Sequence, residues 1–180
     1  MRASSLRLTD TRRQAGQSIV ELAVATPVLL LMLLSAFNVG VLLSDKVTAS
    51  YAALQGDRLA AELGGGPNGM TTSQVDQQFV EAVRAGAASL NYATITEIDV
   101  YAPSRADGSY AAGDPHDSYD GSGAPISSPG FPTSARVMVP PDETSIGVRL
   151  VWTYSPPTGV YAVRLTASEY SVMKVAPTPP

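Results

Sequence analysis

The feature that most restricts this chain is an uncharged stretch close to its start. Residues 22–44 contain no Asp, Glu, Lys or Arg, and 17 of these 23 residues are apolar. As a helix rising about 1.5 Å per residue, the stretch spans roughly 35 Å, against about 30 Å for the hydrocarbon core of a bilayer. A purely soluble fold is a poor home for such a helix. Charge is distributed unevenly around it. Residues 1–16 carry Arg2, Arg7, Arg12 and Arg13 against Asp10, a net charge of +3, whereas the rest of the chain is net −7. Positive charge ahead of the apolar run and little directly after it places the N-terminus in the cytoplasm and the body outside. A cleaved secretory signal has an apolar region of about 7–15 residues ending in a small-x-small site. Here the run is longer and ends in Ser44-Asp45-Lys46. A plain signal anchor fits the length and the charges, but it leaves Glu21 unexplained.

Composition removes several functional classes. The acidic body has no basic stripe, which argues against nucleic acid as a partner. The chain has no cysteine, so disulfides, thiol nucleophiles and thiolate metal sites are excluded. With one histidine, His116, and no evident set of base, nucleophile and orienting group, hydrolytic chemistry has little to stand on.

Glu21 sits at the mouth of the apolar run. A carboxylate at the centre of a bilayer costs about 2.5–3.5 kcal/mol on insertion scales, and less near the interface. It is either an interfacial acid tilted toward headgroups or a carboxylate awaiting a cation. The residues around it form a position-locked pattern: Arg12-Arg13-Gln14-Ala15-Gly16, then Gln17-Ser18-Ile19-Val20-Glu21, then the apolar run. This pattern resembles the prepilin-type leader of type IV pilins and pseudopilins. Within that group, GQSIVELAVATPVLLLMLL with its Val20-Glu21 pair and Pro27 looks most like the TadE-like proteins of tight-adherence (Flp pilus) systems. The tail from Ile146 to Val175 is also similar to the C-terminal strands of that family, so the likeness covers roughly the first 60 and last 35 residues. The resemblance implies cleavage after Gly16 by a prepilin peptidase, recognised through Gly16, Gln17 and Glu21. It also implies that Glu21, fifth in the mature chain, pairs with a neighbouring subunit's terminal amine. The physical chemistry agrees. Glycine offers a protease a backbone without a side chain, and the freed ammonium of Gln17 would lie one helical turn from Glu21. In low dielectric such a pair counts for far more than at a wet surface.

Further along the helix, Pro27 removes one backbone donor and crowds the carbonyl of Ala23, so a kink is expected unless Thr26 or a neighbouring helix satisfies the freed group. Ala36, Gly40 and Ser44 recur every four residues, a small-residue stripe that permits close helix contact in lipid. Asn38 could hydrogen-bond across helices.

The helix is expected to run from Gln17 to Leu63, continued past the membrane by the helical spacing of Val47, Tyr51 and Leu54, with half of it presenting a face to the body and Gly64-Gly65-Gly66-Pro67 stopping it. A second helix is expected to begin at a Ser73-x-x-Asp76 capping pattern, with Val75, Phe79, Val83 and Leu90 on one side. Residues 94–101 read as a strand. Ile146, Val148, Leu150, Trp152 and Tyr154 alternate with their neighbours as a half-buried strand, and Trp152 reads as core. Tyr161, Val163, Leu165 and Ala167 form the returning strand, whose phase slips near Glu169, indicating a bulge or an edge. Residues 102–142 contain 12 Gly or Pro among 41 and read as a long loop or mobile flap. Asp114, Asp117 and Asp120-Gly121 lack calcium-loop spacing, so no metal or other cofactor is assigned.

The resulting expectation is an α+β, pilin-like protein with a basic leader at 1–16 and a long helix at 17–63, whose transmembrane part is 22–44. An exported head follows at 71–176, with a second helix on an antiparallel sheet and the irregular loop 102–142. The expected role is a structural minor pilin or pseudopilin, a substrate of the prepilin peptidase and not an enzyme. Its implied partners are that peptidase, other pilin or pseudopilin subunits, the inner-membrane assembly platform and the membrane. Assembly contacts would involve Glu21, Pro27, Ala36, Gly40 and Ser44. The alternative is a membrane-anchored extracytoplasmic binding or adhesion domain that is never processed.

Overall fold

The computed structural model describes residues 8–66, 69–136, 144–159 and 164–175, with side chains described from Gln17 onward. Helix α1 runs Leu8–Leu63 and α2 Thr72–Gly86. The strands are β1 Ala93–Tyr101, β2 His116–Asp120, β3 Pro125–Ser127, β4 Ser145–Tyr154 and β5 Leu165–Lys174, with a 3₁₀ turn at Thr133–Ala135. The fold is α+β with a pilin-like layout. The chain divides into two compact units, residues 1–40 and 41–180, and the division falls inside α1.

In the first unit the helix is apolar all round. Ile19, Val20, Leu22, Val24, Val28, Leu33 and Phe37 are each more than half exposed. Two hydroxyls are spent on the helix itself: Thr26 Oγ1 donates to the Leu22 carbonyl and Ser35 Oγ to that of Leu31, both at 2.7 Å. Hydroxyls that bond back one turn need no water, which suits a helix in lipid. The helix starts before Gln17, at Leu8. Arg, Gln and Ala are good helix formers, and a single Gly16 costs about 1 kcal/mol, too little to break a helix continued on both sides.

In the second unit five strands form one antiparallel sheet in the order β3-β2-β1-β4-β5. Pairings such as Ile98↔Leu150 and Val100↔Val148 put Ile98, Val100, Tyr119, Ile146, Val148, Leu150 and Trp152 on the face toward the helices. All are buried, and each large apolar side chain fully removed from water stabilises by about 1.5–3 kcal/mol. Trp152 is core, and the β4 alternation holds as expected. A bulge does occur, but in β1: Thr96 is the extra residue between Ile95↔Trp152 and Glu97↔Val151, and its hydroxyl donates to the Val151 carbonyl at 3.1 Å. β5 pairs with β4 without a register shift. The slip near Glu169 therefore marks an edge strand, whose inward residues meet the polar side of α1. The part of the returning strand at Tyr161 and Val163 lies outside the described residues.

Two further expectations are corrected, and the structure sets which side of α1 is packed. That side is not the Val47–Tyr51–Leu54 line. Val47 and Tyr51 are exposed, at 69% and 55%, and Leu54 is half-buried, while Asp45, Ala49, Ala52, Ala53, Gly56, Asp57 and Ala60 are buried. The reason is proximity. A Cβ on Gly86 of α2 would lie 2.9 Å from the Ala52 Cα, and one on Gly56 would strike the Val83 side chain, so only small residues fit between the helices. Helix α2 is capped by Thr71, which accepts from the Gln74 backbone while Gln74 reaches back to the Thr71 amide at 2.9 Å. Ser73 lies inside the helix, and Asp76 is buried with other work to do. Finally, residues 102–136 are not one long loop: they hold β2, β3 and the 3₁₀ turn. Loop 102–115 is tied down as well, because Tyr101 Oη donates to the Gly108 carbonyl at 2.7 Å. Residues 137–143, including Asp142, lie outside the described residues, as do Pro67 and the stretch 176–180.

Candidate functional site

The residues singled out in the first unit follow one another along α1. Gly16 lies within the helix, as do Arg12 and Arg13, in the stretch whose side chains are not described; Arg2 and Arg7 lie outside the described residues. From Gln17 onward the side chains are defined. Gln17 Nε2 donates to Glu21 Oε1 at 3.0 Å, across the i to i+4 spacing of one helical face. Both residues are exposed on a helix otherwise covered with apolar groups. Sequence reasoning expected an α-ammonium at Gln17, were the chain cut after Gly16, to lie near Glu21 but missed this amide contact between residues four apart on one helical face.

Pro27 stands inside the helix. Having no N–H, it leaves the Ala23 carbonyl without its helical donor. Thr26 does not replace that donor, since its hydroxyl goes to Leu22. Ala36, Gly40 and Ser44 are all exposed, and a Cβ added at Gly40 would meet nothing within 4 Å. The small-residue stripe is therefore open along its length.

The head contains polar groupings that the sequence did not reveal. Arg136 is fully buried between the rings of Phe79 and Phe131, 5.9 and 4.8 Å from their centroids. Its Nη1 donates to Asp76 at 2.7 Å, and its Nη2 donates to the Phe131 carbonyl at 2.6 Å and to Asp117 at 3.5 Å. Tyr119 Oη adds a bond to Asp76 at 3.1 Å, and the backbone amides of Gly130 and Phe131 donate to Asp117. Burial pushes the Asp76 carboxyl up to about 6 even though Arg136 pulls it back. These contacts join α2, β2 and the segment leading to β4.

A second grouping holds α1 to the edge strand. Ser171 Oγ donates to Asp57 at 2.7 Å and Ser50 Oγ to Glu169 at 2.9 Å. Burial raises the Asp57 carboxyl to about 6, opposed by the Ser171 hydroxyl and the Met173 backbone amide. Asp45 accepts from the backbone amides of Asn91 and Tyr92, both at 3.1 Å, fixing the approach to β1. On the opposite face of the sheet, Arg149 Nε donates to Asp99 at 2.7 Å under the Tyr110 ring, 3.9 Å from its centroid.

The aspartates weighed as calcium ligands have separate tasks. Asp114 accepts from the Ala111 amide at 2.8 Å, Asp117 belongs to the Arg136 cluster, and Asp120 accepts from the amides of Ser122 and Ala124 at 2.8 and 2.9 Å. His116 opens β2, and its Nδ1 donates to the Asp114 carbonyl at 2.7 Å. Among the described residues no group of three His, Asp or Glu side chains is placed to hold a metal ion.

One long apolar helix followed by a packed α+β unit fits a single-pass membrane anchor and gives a pilin-like layout. The model of the TadE-like protein family matches residues 16–58. This stretch is therefore similar to the TadE-like family, in agreement with the glutamate motif, and the family suggests an association with tight-adherence pili. The match begins at Gly16, takes in Gln17, Glu21, Pro27, Ala36, Gly40 and Ser44, and stops before the head's second helix and sheet, so the likeness of the tail is not part of it. No curated protein and no solved structure matches the chain.

Proposed function

We propose that the protein is a minor pilin or pseudopilin of a tight-adherence, Flp-type pilus or related secretion machinery, cut after Gly16 by a prepilin peptidase. The observation that carries this reading is the register of the TadE-like segment: its first matched residue is Gly16, and Glu21 stands at the mouth of an exposed apolar helix. Cleavage removes the leader bases that oppose passage outward. It also creates a cation at Gln17 beside an acid that is costly in lipid unless paired. The helix waits in the inner membrane with the N-terminus cytoplasmic and the head outside, then enters an assembly in which Glu21 meets a neighbouring subunit's terminal amine. Pro27 with the open stripe Ala36, Gly40 and Ser44 serves the contact with neighbouring helices. The partners in this reading are the peptidase, other pilin or pseudopilin subunits, the assembly platform and the membrane.

The test is Glu21→Ala, compared with the wild type for membrane insertion and for recovery in sheared surface pili. Insertion should be unchanged while recovery in pili falls at least tenfold. Equal recovery of the variant would remove the pairing role. A protein that stays in the membrane at full length would instead match an anchored binding domain.

A further inference from the structure

If the chain is cut after Gly16, its new first residue is a glutamine, and such a terminus has a chemistry of its own. The free α-amine can attack the Cδ of its own side-chain amide. A C–N bond forms within a five-membered lactam, the bond from Cδ to Nε2 breaks, and ammonia leaves carrying the displaced nitrogen. Nothing is oxidised or reduced and no co-reactant is needed. The product has lost its basic nitrogen, and with it the cation that a neighbour's Glu21 would pair with.

The reaction requires the Gln17 amide to fold back onto the Gln17 nitrogen. In the structure that amide points the other way, one turn along the helix, where Nε2 donates to Glu21 Oε1 at 3.0 Å. The contact sits on a surface where Ile19, Val20 and Leu22 are about two-thirds exposed. In lipid, water competes poorly for either partner and a polar contact has few alternatives. We infer that Glu21 acts on Gln17 within the same chain, holding its side-chain amide away from the terminal amine and so keeping the mature N-terminus open and cationic. The same contact engages one carboxylate oxygen and leaves Oε2 for an ammonium from a second subunit. Glu21 would thus protect the cation of its own chain and receive the cation of the next.

This inference rests on cleavage after Gly16, and the experiment separates the two. The wild type, Glu21→Ala and Glu21→Gln are each produced as full chains with prepilin peptidase in membranes, aged under identical conditions and measured by intact mass. Glutamine at position 21 still offers an oxygen to Gln17 Nε2, so it is the conservative rescue. The wild type and Glu21→Gln should remain at the mass of the open form beginning at Gln17. Glu21→Ala should accumulate a species lighter by one ammonia, several-fold faster than the wild type. Equal lactam formation in all three overturns the role of Glu21 while leaving the cleavage site intact. Wild-type chains that keep residues 1–16 overturn both, because Gln17 then has no free amine; lactam formation in the variants is read on the cleaved fraction of each. A Gln17→Asn variant is the blank: its shorter amide could close only a strained four-membered ring on the terminal amine, so no N-terminal lactam should form with or without Glu21.

Discussion

The two halves of α1 obey opposite packing rules within one continuous helix. From Ile19 to Val39 most large side chains point outward and stay exposed, with Leu34 half-buried and Asn38 buried. From Val41 to Leu63 the surface that matters is made of Ala49, Ala52, Ala53, Gly56 and Ala60, all buried. The first surface suits a solvent of lipid chains, where no protein neighbour is needed to bury apolar area. The second suits a partner helix so close that a Cβ on Gly86 would come within 2.9 Å of the Ala52 Cα. The polar residues divide in the same way. Thr26 and Ser35 bond to their own helix, whereas Asp45, Ser50 and Asp57 reach the approach to β1 and the edge strand. Hydrophobicity alone therefore misidentifies the packed face: Val47 and Tyr51 look inward-facing by type and are exposed.

Substitutions in the full chain, followed by denaturant unfolding in detergent micelles, can break this contrast. The largest effect is expected for Arg136→Leu. It strands the buried carboxylates of Asp76 and Asp117, and removing one partner of a buried ion pair costs about 3–5 kcal/mol. A loss below 1 kcal/mol would show that the cluster is not holding α2 to the sheet.

Next comes the pH dependence set by Asp57. Burial raises its folded pKa to about 6, above the 3.8 of the free side chain, so between these values the folded state binds more protons than the unfolded state. Stability contributed by this group is present below pH 4 and is lost as pH rises to 6. Asp57→Asn should thus be more stable than the wild type at pH 8 by about 2–3 kcal/mol. The gain should fade toward pH 4. Asp76 carries a similar shift, so the variant keeps part of the slope. A stability gain independent of pH would contradict the assignment.

Gly86→Val comes third, at about 1–3 kcal/mol of overpacking against Ala52. The smallest effect belongs to the other half of the helix. Leu30→Ala removes a side chain that is 53% exposed and outside the head's core, so head stability should change by less than about 0.5 kcal/mol. A change as large as that of Gly86→Val would erase the distinction between the two halves.

Patterns with a short period were readable in the residues. The alternation from Ile146 to Tyr154, the helical spacing of Val75, Phe79 and Val83, and the spacing from Gly16 to Glu21 each depend on neighbours close in sequence. The cluster of Asp76, Asp117 and Arg136 was not readable, because it joins residues 60 and 19 positions apart whose proximity only the fold creates. Strand β2 was hidden for the same reason. His116-Asp117-Ser118-Tyr119-Asp120 is too polar to look like a strand until Arg136 and Asp76 satisfy Asp117 and Tyr119. The open stripe at Ala36, Gly40 and Ser44 was legible in position, but its use depends on a neighbour.

The most direct test of the proposed role is intact-mass measurement of the full chain expressed with and without prepilin peptidase. Cleavage should remove residues 1–16, leave Gln17 first and occur only when the peptidase is present. A chain that remains full length, or is cut near Ser44, would contradict the pilin reading.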